Sequence, residues 1–209
     1  MLAVLEAEAS VVAPGLLGWV LCRRFDDGVI VRGRIVETEA YVGVADAASH
    51  VFGGRRTARN EAMYGRAGTA YVYFTYGMHW CLNVVCASEG EPQAVLVRAI
   101  EPVEGAERME ANRLSNSRAA RSLPLAKIGA GPARVCAALG LDRAWNGVDL
   151  LAPSEAGGAS EALWLEAGRM RGTVVAGPRI GIDRAGEPWV SRPLRFGEAG
   201  SRSLSRRFA

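Results

Sequence analysis

The stretch GRIVETEAYVGVADAASH, residues 33–50, concentrates groups that could do chemistry. Glu37, Glu39 and Tyr41 alternate along it, and His50, one of only two histidines, closes it. On an extended strand these alternate positions share a face, with same-face Cα atoms roughly 6.6–6.8 Å apart. That separation overlaps the roughly 6.5–9.5 Å between the carboxyl groups of inverting glycosidases. Those carboxylates flank a scissile bond from opposite sides, whereas Glu37 and Glu39 lie side by side. The spacing therefore does not describe an acid/base pair. It fits one structural acid, paired to an arginine, and one catalytic acid. A lone glutamate near a strand end is usually surface, so the neighbours must carry the argument.

Aromatic residues supply the first of these. Tyr71 and Tyr73 alternate on a second run, TAYVYFTYG (69–77), and Tyr76 sits beside Gly77 at its end. A tyrosine stripe is more often core, but a tyrosine at a strand tip has little core to fill. Flat rings near positive charge suit stacking on nucleobases, worth about 1–3 kcal/mol per base.

Positive charge is clustered although the net charge is only +3. Arg55, Arg56, Arg59 and Arg66 surround Glu61. Arg113, Arg118, Arg121, Lys127 and Arg134 span an acid-free stretch. Arg192, Arg195, Arg202, Arg206 and Arg207 face only Glu198. Each cluster alone reads as solvated surface; together they allow one basic face. Lys127 is the only lysine among 25 basic residues, so phosphate contacts would be planar and bidentate.

The totals exclude other classes. The four cysteines lack a CxxC or zinc-like Cys/His spacing and sit among apolar neighbours, as buried free thiols in a reducing compartment do. No GxGxxG or Walker loop is present, which argues against nucleotide-cofactor chemistry. The apolar stretch 11–22 is interrupted by Pro14-Gly15 and too short to span a bilayer. Acids rather than bases precede it, unlike a signal peptide. At 209 residues, one domain is the default.

The elements that must position these residues follow from pattern. A short helix is predicted around Val11–Leu17. Strands are predicted at Trp19–Arg24 and Val29–Glu39, joined by the turn Asp26-Asp27-Gly28. Residues 43–68 show little periodicity, and a loop that long is usually functional. Further strands are predicted at 69–77, at QAVLVRAI (93–100), at ALWLE (162–166) and at PRIGI (178–182). Pro102 is read as opening a helix through Arg113. Pro132 opens another, with Val135, Cys136 and Leu139 on one face and Gly140 as its stop. Strands in runs, with helices between distant ones, favour α+β with a largely antiparallel sheet.

An ordered set of motifs then resembles a known family. GRIVETEAYVG…ASH, GGRRTARNEAMYGRAGTAYVYFTYGMHWCLNVV and VLVRAIEPVEG are similar to the alkyladenine (3-methyladenine) DNA glycosylases. The similarity continues through GPARVCAALGL, NGVDLL, PRIGI and PWVSRPLRF, so it covers nearly the whole chain. It implies one mixed α+β catalytic domain over residues 1–209. A curved, largely antiparallel sheet with peripheral helices is implied, unlike the helix-hairpin-helix glycosylases. The implied activity is base-excision repair: damaged purines, alkylated and in some cases deaminated or etheno, are flipped from duplex DNA and the N-glycosidic bond is hydrolysed. By this resemblance Glu39 is the general base that activates water, and Arg98 lies beside it and a backbone phosphate. Tyr41 and His50 line one side of the base pocket and Tyr73 the other. Ala48 and His50 offer backbone groups to the purine edge, and Asn83 clashes with the amino group of normal guanine. Tyr76 fills the gap in the duplex, with Met78 close to that wedge. Glu37 receives no catalytic role.

Further expectations accompany this reading. Strand-cleaving glycosylases need an amine for a Schiff base. Lys127 and the N-terminal amine lie outside the pocket motifs, so water is the expected nucleophile, with no lyase activity. No metal or cofactor is required. The expected partner is damaged double-stranded DNA, without a membrane. The expected state is a monomer, cytoplasmic and nucleoid-associated if bacterial. Two alternatives stay open: a non-catalytic module that scans for distorted duplex, and a small-molecule nucleoside or glycoside hydrolase using Glu37 and Glu39.

Overall fold

The computed structural model describes residues 2–115, 122–152 and 161–208. Arg118 and Arg121, from the second basic cluster, lie outside the described residues. Among the described residues the architecture is α+β. An open sheet of eight strands runs in the order β3-β4-β5-β2-β1-β6, with β8 joining β2 and β7 joining β8, and every strand pairing is antiparallel. The strands are β1 (Val20–Arg24), β2 (Ile30–Tyr41), β3 (Ala70–Thr75), β4 (His79–Cys86), β5 (Gln93–Glu104), β6 (Ala162–Glu166), β7 (Val174–Gly177) and β8 (Arg195–Glu198). Among the described residues four α-helices accompany them, α1 (Leu2–Leu5), α2 (Ala9–Gly15), α3 (Ala106–Leu114) and α4 (Pro132–Leu139), besides short 3-10 turns. No helix among the described residues is long and apolar enough to cross a membrane.

The core lies on one side of the central strands. Val12, Ala13 and Leu16 from the α2 region and Val135, Cys136, Ala138 and Leu139 of α4 pack with Ile35, Ala40, Val97 and Ile100. Thr38 Oγ1 donates to the Ala13 carbonyl at 2.8 Å and ties β2 to α2. Helix α4 begins at Pro132 and stops at Gly140 in the left-handed region, as the sequence predicts. All four cysteines are free and buried.

Strand β2 is held along both edges, by β5 on one side and by β1 and then β8 on the other. Its pairing with β5 is interrupted on either side of Glu37. Ile35 faces Ile100, Glu37 faces Ala99 and Thr38 faces Val97, which leaves Val36 and Arg98 as the unmatched residues. A bulge of this kind re-aims side chains. Strict alternation from Ile35 would send Glu37 into the apolar core. The extra residue at Val36 flips the phase, so Ile35 and Thr38 face the helices while Glu37, Glu39 and Tyr41 share the opposite face. The shift at Arg98 does the same on β5, where Ile100 enters the core and Arg98 meets the glutamates.

Three expectations need correction. Pro102 does not open a helix: it is paired with Gly33 inside β5, and α3 starts at Ala106. The Ile100 amide points away from β2, to the Gly129 carbonyl, and residue 102 points its nitrogen the same way. Among the described residues no strand lies there, because β4 pairs only with Gln93–Leu96, so proline removes no ladder hydrogen bond. PRIGI is not a strand: β7 ends at Gly177, and Arg179 and Ile180 direct their donors at side chains of the site instead. Arg195 is not part of a solvated basic patch, since it is buried against Glu37. Strand β4 itself, rich in apolar residues but without clean alternation, was not legible beforehand.

Candidate active site

Glu39 is fully buried, and its two oxygens are unequally occupied. Oε1 lies 3.1 Å from Arg98 Nη1 and accepts the Ile180 amide at 2.8 Å. Oε2 accepts the Tyr41 hydroxyl at 3.1 Å. A carboxylate offers about four lone-pair positions. Among the described residues the remaining one is on Oε2. Burial is the largest influence on Glu39 and raises its carboxyl above the usual range; Arg98, the Ile180 amide and Tyr41 pull it back down. A carboxylate of this kind is a stronger base than one in water.

In front of Glu39 lies a cavity of about 220 Å³. Tyr41, Ala48, His50, Tyr73, Asn83, Arg98 and Tyr76 all line it. Glu39 is not in its wall but behind Tyr41 and Arg98, and Met78 is not in the wall either. The His50 ring meets Tyr73 edge-on, centroids 4.6 Å apart, and its Nδ1 is 2.7 Å from the Tyr71 hydroxyl. His50 therefore shares a side with Tyr73, which corrects the expectation that the two rings face each other across the base pocket: touching rings leave no room for a base between them. Tyr71 and Tyr73 lie nearly parallel, with centroids 5.4 Å apart. Desolvation and the charge of Arg59 pull His50 below its usual range, so its ring is neutral at pH 7. Asn83 Nδ2 donates to the Tyr71 carbonyl at 3.1 Å, which tethers its side chain in the cavity. Cys81 also lines the cavity; burial pushes its thiol up to about 11, so it offers no thiolate nucleophile.

The long loop after β2 is held by residues that sequence reading did not single out. Asp46 accepts from the amides of Val42 and Ala48 and pairs with Arg179 at 2.6 and 2.8 Å. Arg179 also donates to the Ala40 carbonyl and stacks over Tyr41, 4.8 Å from its ring centre. Asn60 donates to the carbonyls of His50 and Arg55 and accepts from the Thr57 amide. Two backbone groups are thus already occupied: the Ala48 amide by Asp46 and the His50 carbonyl by Asn60. The Ala48 carbonyl and the His50 amide have no partner among the described residues.

Removing one side of the buried Arg179–Asp46 pair leaves an uncompensated charge, which costs about 3–5 kcal/mol. Arg179→Met is therefore expected to lower unfolding stability by about that much. Urea denaturation measures it, and an unchanged midpoint would contradict the loop anchor.

The rim of the cavity is the β3–β4 turn. Tyr76 and Gly77 are its central residues, with φ of 52° and 68°, closed by a Met78 amide to Thr75 carbonyl bond. Positive φ at both positions is the pattern of the tight hairpin turns whose twist matches the strands. Glycine adopts it freely, while a tyrosine there carries a strain of order 1–2 kcal/mol. Tyr76 is 80% exposed and Met78 67%, two large side chains held out in water. Backbone strain that presents an apolar side chain to solvent is characteristic of functional positions.

Beside this cavity is a second, shallower cleft of about 250 Å³, lined by Arg98, Gly131, Arg134, Ser205 and Arg206 among others. Arg98, Pro132 and Ile180 border both.

The family model for methylpurine-DNA glycosylase (MPG) matches residues 3–202. A DNA-3-methyladenine glycosylase of Mus musculus is 46% identical over 202 residues, covering 94% of this chain and 58% of the mouse protein. The protein of the same name from Homo sapiens is 42% identical over 201 residues, covering 94% of this chain and 64% of its own length. A provisionally named 3-methyladenine DNA glycosylase of Desulfitobacterium hafniense is 43% identical over 187 residues, covering 87% of this chain and 88% of that one. The chain spans about three fifths of the length of the mammalian relatives. With its family model matched almost from end to end, the chain belongs to the methylpurine-DNA glycosylase family.

Proposed function

We propose that this protein is a DNA-repair glycosylase. It takes an alkylated purine out of duplex DNA, hydrolyses the N-glycosidic bond with water activated by Glu39, and leaves an abasic site. One observation carries the reading: an aromatic-walled cavity has a fully buried, polarised carboxylate behind its wall and an exposed tyrosine on a strained turn at its rim.

The chemistry follows from the groups present. Extruding a nucleotide costs a few kcal/mol of stacking and pairing. Tyr76, with Met78 next to it, replaces the lost stack from the gap. The flipped base lies between Tyr41 on one side and the touching rings of His50 and Tyr73 on the other. These rings favour an electron-poor, cationic base such as 3-methyladenine. The Ala48 carbonyl and the His50 amide, the backbone groups of these two residues left without a partner among the described residues, read the purine edge. Asn83, tethered to the Tyr71 carbonyl, cannot swing away from a guanine amino group. A cationic purine leaves without protonation, so one carboxylate suffices: Glu39 takes a proton from water and offsets the charge on the sugar. Neutral hypoxanthine or ethenoadenine needs protonation by a bound water or a hydrogen bond from a backbone amide as it leaves. A phosphate flanking the flipped nucleotide fits the cleft of Arg98, Arg134 and Arg206. Water is the nucleophile, no lyase step follows, and one subunit acts on one lesion.

Release of free base from a duplex carrying a single lesion, with abasic sites revealed by alkali, tests the reading. Release is expected from methylated DNA, without a borohydride-trapped protein–DNA adduct, and affinity is expected to fall with salt as counterions are released. Comparable rates on free nucleosides would instead mark a small-molecule hydrolase. Lesion binding without release would mark a scanning module.

The wedge makes its own prediction. Tyr76 makes no core contact, so Tyr76→Ala is expected to leave the melting temperature unchanged. It should weaken binding to a lesion duplex by roughly the 1–3 kcal/mol of one lost stack. Fluorescence titration measures this, and unchanged affinity would remove Tyr76 from the interface.

A further inference from the structure

Glu37 has no part in the proposed chemistry, yet it is fully buried and accepts four hydrogen bonds. Arg98 Nε and Arg195 Nη1 each donate to Oε1 at 3.1 Å. Ser205 supplies the other two, its hydroxyl to Oε1 at 2.8 Å and its amide to Oε2 at 2.5 Å. The same hydroxyl accepts from Arg98 Nη2 at 3.2 Å. Each guanidinium nitrogen of Arg98 therefore has a separate partner: Nε on Glu37, Nη2 on Ser205 and Nη1 on Glu39.

We infer that Ser205 is a positioning residue for base release: its hydroxyl, between Arg98 Nη2 and Glu37 Oε1, fixes the rotation of Arg98 that presents Nη1 to Glu39. The inference rests on the glycosylase reading above. Its physical basis is competition. An arginine prefers to engage one carboxylate with two parallel N–H groups. Glu37 and Glu39 both contend for Arg98. Without the serine hydroxyl, Nη2 loses its acceptor and Glu37 Oε1 loses a donor. Rotating the guanidinium onto Glu37 satisfies both and withdraws Nη1 from Glu39. With the hydroxyl in place that rotation gains nothing, so Arg98 serves both acids.

Tertiary packing holds the serine there. The segment around it folds back over β8. The Phe208 ring covers Arg195 at 3.8 Å, and the Arg206 carbonyl accepts from Arg195 Nη1 at 3.1 Å. A Cβ on Gly197 would lie 2.4 Å from Phe208, so the close approach requires glycine at that position. Arg195 thus joins the fold-back segment to Glu37 from a second direction.

The test uses the full chain and a duplex with one methylated or hypoxanthine base, comparing wild type, Ser205→Ala and Ser205→Thr. Single-turnover release, DNA affinity and the pH profile are measured together. Ser205→Ala is expected to slow release roughly ten- to a hundredfold, the scale of small misplacements around a reacting group. Affinity stays unchanged. The acid limb of the profile moves to higher pH, because Glu39 with less of Arg98 ionises later. Ser205→Thr, which keeps the hydroxyl, retains the rate. Wild-type release by Ser205→Ala overturns the inference, as does slower release with an unmoved acid limb. Weaker affinity at an unchanged rate also overturns it, making Ser205 a phosphate contact in the adjacent cleft. Absence of release by the wild type sinks the glycosylase reading itself.

Discussion

Glu39→Gln is expected to release base about 10²–10⁴-fold more slowly than the wild type, the range associated with a positioned general base. Glutamine has the shape of glutamate and an oxygen that can still accept the Ile180 amide, now 2.8 Å from Oε1. It cannot take a proton from water. The cavity walls, Tyr41, His50 and Tyr73, remain, so affinity for a lesion duplex should persist. The stability effect runs the other way. Burial raises the Glu39 carboxyl above its value in the unfolded chain. Its contribution to stability is therefore greatest at low pH, where it is protonated, and is lost as pH rises past its folded value. Wherever the group is ionised in the fold it is a net cost, and Gln removes it. The melting temperature of Glu39→Gln at pH 7 is thus expected to hold or rise while activity collapses. Parallel calorimetry and base-release assays measure both, and near-wild-type release would remove Glu39 from the base role.

Arg98→Met is expected to lose activity and stability together. Arg98 is the cation shared by Glu37 and Glu39, and both carboxylates are fully buried. Losing one partner of a buried ion pair costs about 3–5 kcal/mol, since the other charge is left uncompensated. Arg195 still neutralises Glu37, so Glu39 bears the larger change. Its carboxyl, already raised by burial, rises further without the arginine charge. Release at neutral pH is expected to fall by about a hundredfold, the scale of removing a preorganised electrostatic partner. Raising the pH should recover part of that loss as Glu39 ionises. Urea denaturation and a pH–rate profile test both parts. An acid limb coincident with that of the wild type would mean Arg98 does not govern Glu39. Lysine is a poor replacement, because a point charge cannot address Glu37, Ser205 and Glu39 at once.

Much of the scaffold was readable beforehand, for local reasons. Helix α4 carries its proline and glycine signals at its own ends. Strands β1, β2, β3 and β6 are marked by β-branched and aromatic runs with turn residues between them. The misreadings came where a tertiary neighbour overrode a local signal. Pro102 looks like a helix start because prolines often are. It sits in a strand because the edge its nitrogen faces carries no partner strand. PRIGI has strand composition, but Arg179 and Ile180 are drawn into bonds with Asp46 and Glu39 instead of a ladder.

The sequence by itself determined the chemical vocabulary of the protein. Two acids and a tyrosine alternate on a strand, tyrosines occupy the neighbouring run, and the ordered motifs resemble one glycosylase family. Only the tertiary structure decided which face those acids occupy. The phase of alternation in β2 changes at Val36, and a bulge is a property of two paired strands. Only the tertiary structure, too, brought Ser205 to Glu37 across 168 residues and Arg179 to Asp46 across 133. Such contacts leave no periodic trace, because they depend on where the chain returns rather than on what lies beside each residue.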